Sequence, residues 1–153
     1  MPRYYNNRSY RPYRKAKRPT ERIIRAGQAP VTNTTGSAYI WTCDTPCTIT
    51  NFKLDVGEES ANTYWPVAYA LVYVPEGYNV NNLTFPAVSD DLYNPTKMVI
   101  ISGVCNSSGN EDHKSSRYSR KCSPGDRIAL IMISTRPSGT QPTNFELSFT
   151  VVA

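Results

Sequence analysis

Apolar and polar residues alternate in short runs along most of this chain, and none of the runs has the spacing of an amphipathic helix. The clearest examples are residues 48–56 and 144–152. A period of two predicts strands with one buried and one exposed face. Lys53 and Asp55 are expected on the exposed face of the first of these strands, and Glu146, Ser148 and Thr150 on that of the second. The predicted inward residues are Phe52, Leu54, Val56, Phe145, Leu147, Phe149 and Val151.

Further strands follow from other patterns. Residues 38–43 alternate, with Tyr39, Trp41 and Cys43 on one face. Three runs are apolar at nearly every position, which predicts strands buried on both faces. They are residues 66–74, 98–105 and 127–134. The polar run 114–121 is a further candidate, and 31–36 is an optional first strand. Seven or eight strands separated by turn signals predict an antiparallel β-sandwich or barrel.

Charge divides the chain into two regions. Residues 1–27 hold nine of the seventeen Lys and Arg residues against the single acid Glu21, whereas residues 28–153 carry more acids than bases. The composition of 1–27 cannot bury enough apolar surface to offset its ordering entropy, so we predict a disordered arm before one domain at 28–153. The basic residues of the arm are Arg3, Arg8, Arg11, Arg14, Lys15, Lys17, Arg18, Arg22 and Arg25.

Nucleic acid is the expected partner of this arm. Arginine forks bind phosphates through charge-assisted hydrogen bonds, and tyrosines such as Tyr4 and Tyr5 can stack on unpaired bases. A solubilising tail is the alternative, while a membrane surface is disfavoured because the arm has no apolar face. A second basic patch is either part of the same surface or an edge strand whose charges block unwanted pairing. It comprises Lys114, Arg117, Arg120 and Lys121.

No catalytic constellation is apparent, so we expect a protein that is not an enzyme and needs no cofactor. His113 follows Asp112 in a polar turn, with no nucleophile motif beside it. Cys43, Cys47, Cys105 and Cys122 lack the paired spacing of structural zinc sites, and we expect no metal. Without a secretory signal the cysteines are expected to remain thiols.

Several motifs, taken in order, resemble the small capsid proteins of circular, Rep-encoding single-stranded DNA viruses, and more loosely those of satellite plant viruses. After the Tyr/Arg-rich arm come the segments TPCT (45–48), ALVYVPEG (70–77), NP (94–95), VIISGV (99–104), RK (120–121) and PGDRIAL (124–130). The resemblance implies one jelly roll of eight strands in two four-stranded sheets. It also implies self-assembly into a small icosahedral shell, with triangulation number T=1, whose arms lie inside against circular single-stranded DNA.

The same resemblance implies where the protein acts. The virion and the host nucleus are the expected locations, and residues 14–19 would suit a host nuclear import receptor. Copies of the chain would touch through the loops 78–97 and 135–143. A satellite virus with an RNA genome would be served by the same design. The main alternative outside viruses is a cellular nucleic-acid-binding β-barrel with a basic tail, and a secreted trimeric sandwich module is a weaker one.

Overall fold

Most of the described part of the chain is strand. The computed structural model describes residues 19–58, 65–80, 98–105 and 111–153. Within them the strands are β1 (Thr20–Val31), β2 (Gly36–Thr42), β3 (Cys47–Glu58), β4 (Val67–Val74), β5 (Val99–Cys105), β6 (Asp112–Cys122), β7 (Arg127–Ser134) and β8 (Gln141–Val152).

The strands form two four-stranded antiparallel sheets. The first sheet has the order β1-β8-β3-β6 and the second has the order β2-β7-β4-β5. Only β4 and β5 are neighbours both in the sequence and in a sheet; every other connection crosses between the sheets. This arrangement is the jelly roll, an eight-stranded sandwich made from two Greek keys. The predicted fold class is therefore confirmed.

Aromatic rings join the two sheets in the core. Phe52 of β3 stacks on Phe149 of β8 with 5.1 Å between ring centroids, and both are almost completely buried. Trp41 of β2 meets Phe149 edge-on from the opposite sheet at 5.4 Å. Burial of each large apolar side chain contributes about 1.5–3 kcal/mol, and such ring pairs add about 1 kcal/mol. The alternation of β3 and β8 places these rings inward, as predicted.

The second sheet is apolar on both of its faces. Tyr69, Leu71 and Tyr73 of β4 point into the main core. The alternating residues Ala70, Val72 and Val74 of the same strand are also buried, in a second cluster that includes residues of β7 and Val80. The prediction that the β4 and β7 segments are buried on both faces is confirmed. Residues 81–97 of the predicted long connection lie outside the described residues.

The first strand begins earlier than the sequence indicated. β1 pairs with β8 along twelve residues, from Thr20 opposite Val152 to Val31 opposite Gln141. The prediction that the whole of 1–27 is disordered is wrong for residues 20–27, and 31–36 is not a strand. Ile23 explains the difference, because it is 8% exposed and packs in the core. Ile23 is the one buried residue among residues 20–27, and Val31 is the other buried residue of β1.

A β-bulge in β2 changes the face of the sheet on which Tyr39 lies. The β2–β7 register shifts between Tyr39 and Trp41, which inserts Ile40 as an extra residue. Residues on either side of a bulge no longer share a face as the period of two requires. Tyr39 is accordingly 46% exposed, under the guanidinium of Arg127 at 4.2 Å, so the prediction that it shares a face with Trp41 and Cys43 is wrong.

A buried carboxylate holds together one end of the sandwich. Asp126 accepts hydrogen bonds from the Tyr73 hydroxyl at 2.5 Å, the Ser123 amide at 2.7 Å and the Glu76 amide at 3.0 Å. Burial by itself would raise the pKa of Asp126, but these hydrogen bonds outweigh burial and lower the pKa. The backbone carbonyl of Asp126 also accepts the Cys43 amide, 2.8 Å away.

The two ends of the described chain meet at the edge of the first sheet. The amide of Ala153 donates to the carbonyl of Pro19 at 3.1 Å. Residues 1–18 precede this point, so the arm joins the sandwich at the end of the first sheet where β1 and β3 begin and β6 and β8 end.

Candidate nucleic-acid interface

Of the nine arm residues predicted to bind nucleic acid, two lie among the described residues. Arg22 and Arg25 lie in β1. The others lie outside the described residues and stay a prediction: Arg3, Arg8, Arg11, Arg14, Lys15, Lys17 and Arg18.

Arg22 and Arg25 point to opposite faces of the first sheet, because they are three residues apart on a strand with a period of two. Arg22 lies opposite Thr150 on the outer face, and its Nη2 donates to Ser148 Oγ at 3.2 Å. Arg25 lies opposite the core residue Leu147, and its Nη1 bonds the adjacent carbonyl of Ile24 at 3.0 Å. Only Arg22 belongs to the outer face.

The predicted second patch is divided in the same way. Lys114 and Arg120 lie opposite Leu54 and Ile49, two core residues, and so face inward. The Arg120 guanidinium lies 3.9 Å from the centre of the Tyr73 ring, which joins the edge strand β6 to the second sheet. Arg120 therefore stabilises the packing of β6 against the second sheet and is not part of an exposed basic surface.

The other two members of the patch face outward. Strand alternation places Arg117 and Lys121 on the outer face of β6, and both are exposed. The patch of four is therefore not one surface. The structure separates Lys114 and Arg120, on the inward side of β6, from Arg117 and Lys121 on its outer side. Of the inward two, Arg120 is partly buried, whereas Lys114 is exposed and lies 3.5 Å from Asp112.

Lys53 joins the exposed pair, although the sequence alone did not assign it to the site. Lys53 lies on the exposed face of β3, a central strand of the first sheet, opposite Ser115 of β6 and Ser148 of β8. Between it and Arg22 is a shallow depression of about 170 Å³, whose polar lining includes Asn51 and Thr150. We call Arg22, Lys53, Arg117 and Lys121 the cationic face.

The opposite half of the same outer surface is acidic. A shallow cavity of about 300 Å³ there is lined by Asp55, Glu111 and Glu146, together with Gly57. The first sheet therefore presents cations near the base of the arm and carboxylates at its far end. An anionic polymer would be attracted to the first half and repelled by the second.

His113 lies at the acidic end. The sequence placed it in a polar turn, but it belongs to β6, where its Nδ1 is 2.7 Å from Asp55 Oδ1 and its Nε2 is 3.8 Å from Glu111. The hydrogen bond with Asp55 and the charge of that carboxylate raise the pKa of His113. It acts as a partner of these two carboxylates.

The sequence matches no protein-family model and no curated protein. Solved structures with a similar fold include a Bacillus endospore appendage described as a disulfide-linked pilus, at 11% identity and a TM-score of 0.47, covering 90% of this chain and 91% of that chain. The infectious bursal disease virus Gx strain gives 6% identity and a TM-score of 0.47, covering 89% of this chain and 32% of that one.

Desmodium yellow mottle tymovirus gives 11% identity and a TM-score of 0.40, covering 90% of each chain. Two of these three structures are thus viral and one is a pilus. Because the identities and TM-scores are low, we argue function from the residues of this chain.

The described residues contain no group of three or more His, Cys, Asp or Glu side chains placed to hold a metal ion. Nor do they form a helix that is long and apolar enough to cross a membrane.

Proposed function

We propose that this chain is a viral capsid protein that assembles with copies of itself into a closed shell and packages single-stranded nucleic acid. The basic arm and the cationic face together are the packaging surface. The observation that carries the proposal is their placement: the arm joins the jelly roll at the end of the first sheet where the cationic face lies.

The shape of the molecule supports a shell. A jelly roll offers broad, rigid flanks from which repeated contacts can be made under closed symmetry. The first sheet presents a polar outer face to solvent, whereas the apolar outer side of β4 and β7 is buried in the second cluster.

The charge distribution supports packaging. Many copies of a strongly basic arm gathered inside a shell produce a high positive potential, which a packaged polyanion neutralises with release of counterions. Such binding depends on salt and does not read sequence. The acidic half of the first sheet would limit how much of the surface the polymer covers.

The finer assignments rest on the family resemblance. We propose circular single-stranded DNA as the cargo, a T=1 shell as the particle, and the virion and host nucleus as the locations. Residues 14–19 would engage a nuclear import receptor.

Expression of the full chain tests the proposal directly. Purified protein examined by size-exclusion chromatography and electron microscopy should give uniform spherical particles whose absorbance ratio at 260 and 280 nm reveals bound nucleic acid. A stable monomer at low salt, with single-stranded DNA supplied, would contradict the capsid role and favour the cellular binding module.

A further inference from the structure

Three of the four cysteines meet at one corner of the sandwich. Cys43 follows β2, Cys47 opens β3 and Cys122 ends β6, and all are thiols in this structure. The sulfur atoms of Cys43 and Cys47 are 3.7 Å apart. Cys47 and Cys122 lie opposite each other in the β3–β6 ladder.

The backbone holds the Cys43 sulfur near Cys47. The amide of Cys43 donates to the Asp126 carbonyl at 2.8 Å, and its carbonyl accepts the Gly125 amide at 2.9 Å. Its thiol donates to the carbonyl of Thr45 at 3.0 Å, so it points into the loop that Cys47 closes. Residues 44–46 are exposed, which leaves the loop free to adjust while the two ends stay fixed.

The thiols differ in their access to solvent. Cys47 is half-buried and lines a shallow surface depression beside Lys121 and Ala153; Cys122 also borders this depression but is far less exposed than Cys47. Cys43 and Cys122 are 1% and 3% exposed, and burial, the largest cause, raises the pKa of each to about 12. A dissolved oxidant therefore reaches Cys47 first, and the buried thiols do not begin the reaction.

We propose that Cys43 and Cys47 form a redox-responsive pair that closes to an intrachain disulfide, with Cys47 as the thiol that meets the oxidant. The oxidant is a small disulfide such as oxidised glutathione. The Cys47 thiolate attacks one of its sulfurs and releases one glutathione thiol. The Cys43 sulfur then attacks Cys47 Sγ, and its proton leaves with the second glutathione, so two protein thiols are oxidised and one glutathione disulfide is reduced.

The bond would lock the connection between β2 and β3 against the Asp126 turn. Closing a loop of five residues restricts the unfolded chain, and we expect Tm to rise by roughly 5 °C on oxidation. In reducing surroundings the pair would remain as thiols. This inference is independent of the proposed capsid function.

Peptide mapping of the full chain tests the pairing. Protein equilibrated with excess oxidised glutathione would be alkylated and digested with trypsin. Residues 26–53 form one tryptic peptide that contains both Cys43 and Cys47. We expect this peptide to escape alkylation and to be lighter by two hydrogen atoms, while residues 122–127 carry an alkylated Cys122.

Variants identify the order of events. Cys43→Ser should accumulate glutathione on Cys47, Cys47→Ser should form neither adduct nor disulfide, and Cys105→Ser is the control that should behave as wild type. Circular dichroism verifies that each variant folds. A recovered link between Cys47 and Cys122, or two alkylated cysteines in the wild-type 26–53 peptide, would overturn the proposal.

Discussion

At the scale of single residues, Asp126 is the side chain on which most of one corner depends. Three donors from β4, the turn after it and the β6–β7 turn converge on this carboxylate. Each hydrogen bond to a charged group contributes about 1.5–3 kcal/mol, and buried donors that lose their acceptor cost a further penalty. A group with so many partners sets the local geometry.

We predict that Asp126→Ala lowers the free energy of unfolding by about 3 kcal/mol, because it leaves three donors without this acceptor. Tyr73→Phe is the matched variant; it removes a single donor to the charged carboxylate and should cost about 1.5 kcal/mol. Urea unfolding at pH 7 measures both. Equal midpoints for Asp126→Ala and wild type would show that the corner does not depend on this carboxylate.

The same carboxylate gives stability a defined pH dependence. Its pKa is lower in the folded protein than the value of about 3.9 in an unfolded chain. Its contribution is therefore complete above that unfolded value and is lost as pH falls towards the folded pKa. The difference in unfolding free energy between wild type and Asp126→Ala should accordingly be smaller at pH 3 than at pH 7.

At the scale of elements, strand order decides which cations act together. Arg22, Lys53 and Arg117 come from β1, β3 and β6, which are far apart in the sequence but share the outer face of the first sheet. Neighbouring strands are about 4.8 Å apart, so β1 and β3 lie roughly 10 Å from each other across β8. A single polymer backbone can contact both.

We predict that the double variant Arg22→Ala/Lys53→Ala weakens binding of a single-stranded oligonucleotide and flattens its salt dependence. Each lost phosphate contact reduces the slope of log K against log salt by about 0.7, so the double variant should lose about 1.4. Fluorescence anisotropy with the full chain at several salt concentrations measures the slope.

Arg25→Ala is the control for this experiment. It removes the same charge from the same strand, but on the opposite face. The slope of log K against log salt should change less for Arg25→Ala than for Arg22→Ala. If the two single variants weaken binding equally, net charge alone controls the affinity and the cationic face has no special role.

Local patterns were sufficient to predict most strands, and the reason is visible in β3 and β8. Their alternating residues face a core on one side only, so Phe52 and Leu147 are buried as the pattern requires. The pattern failed where the backbone departs from regular pairing, as at the β2 bulge beside Tyr39. It failed again in β1, because the basic composition of residues 20–27 concealed Ile23, the one buried residue among them.

The candidate site was less predictable than the fold. Grouping Lys114 with Arg117 followed sequence proximity, whereas the strand period divides them between two faces. Lys53 was placed outward correctly, but its neighbours depend on β3 pairing with β6 and β8, at separations of more than sixty residues. No local pattern contains that information.

At the scale of the whole molecule, the boundary between arm and sandwich lies near residue 19 rather than residue 27. We predict that deletion of residues 1–18 leaves Tm nearly unchanged and removes most co-purifying nucleic acid, because seven basic residues are lost while β1 to β8 are all retained. Thermal unfolding and the 260/280 nm absorbance ratio of the purified protein measure the two effects.

Deletion of residues 1–27 provides the contrast. It also removes eight residues of β1, including Ile23, and exposes the edge of β8 that they cover. An unpaired edge favours aggregation, so this variant should be less stable or insoluble. Retention of nucleic acid by the shorter deletion would mean that the arm is not the packaging element.

The hydrogen bond between Pro19 and Ala153 has a practical consequence for engineering. A protein fused after residue 153 would leave the sandwich beside Pro19, the residue at which the arm joins the sandwich. If arms line the interior of a shell, such a fusion partner would be enclosed with them. The chain would then carry a protein cargo without any change to the surface that its copies use to assemble.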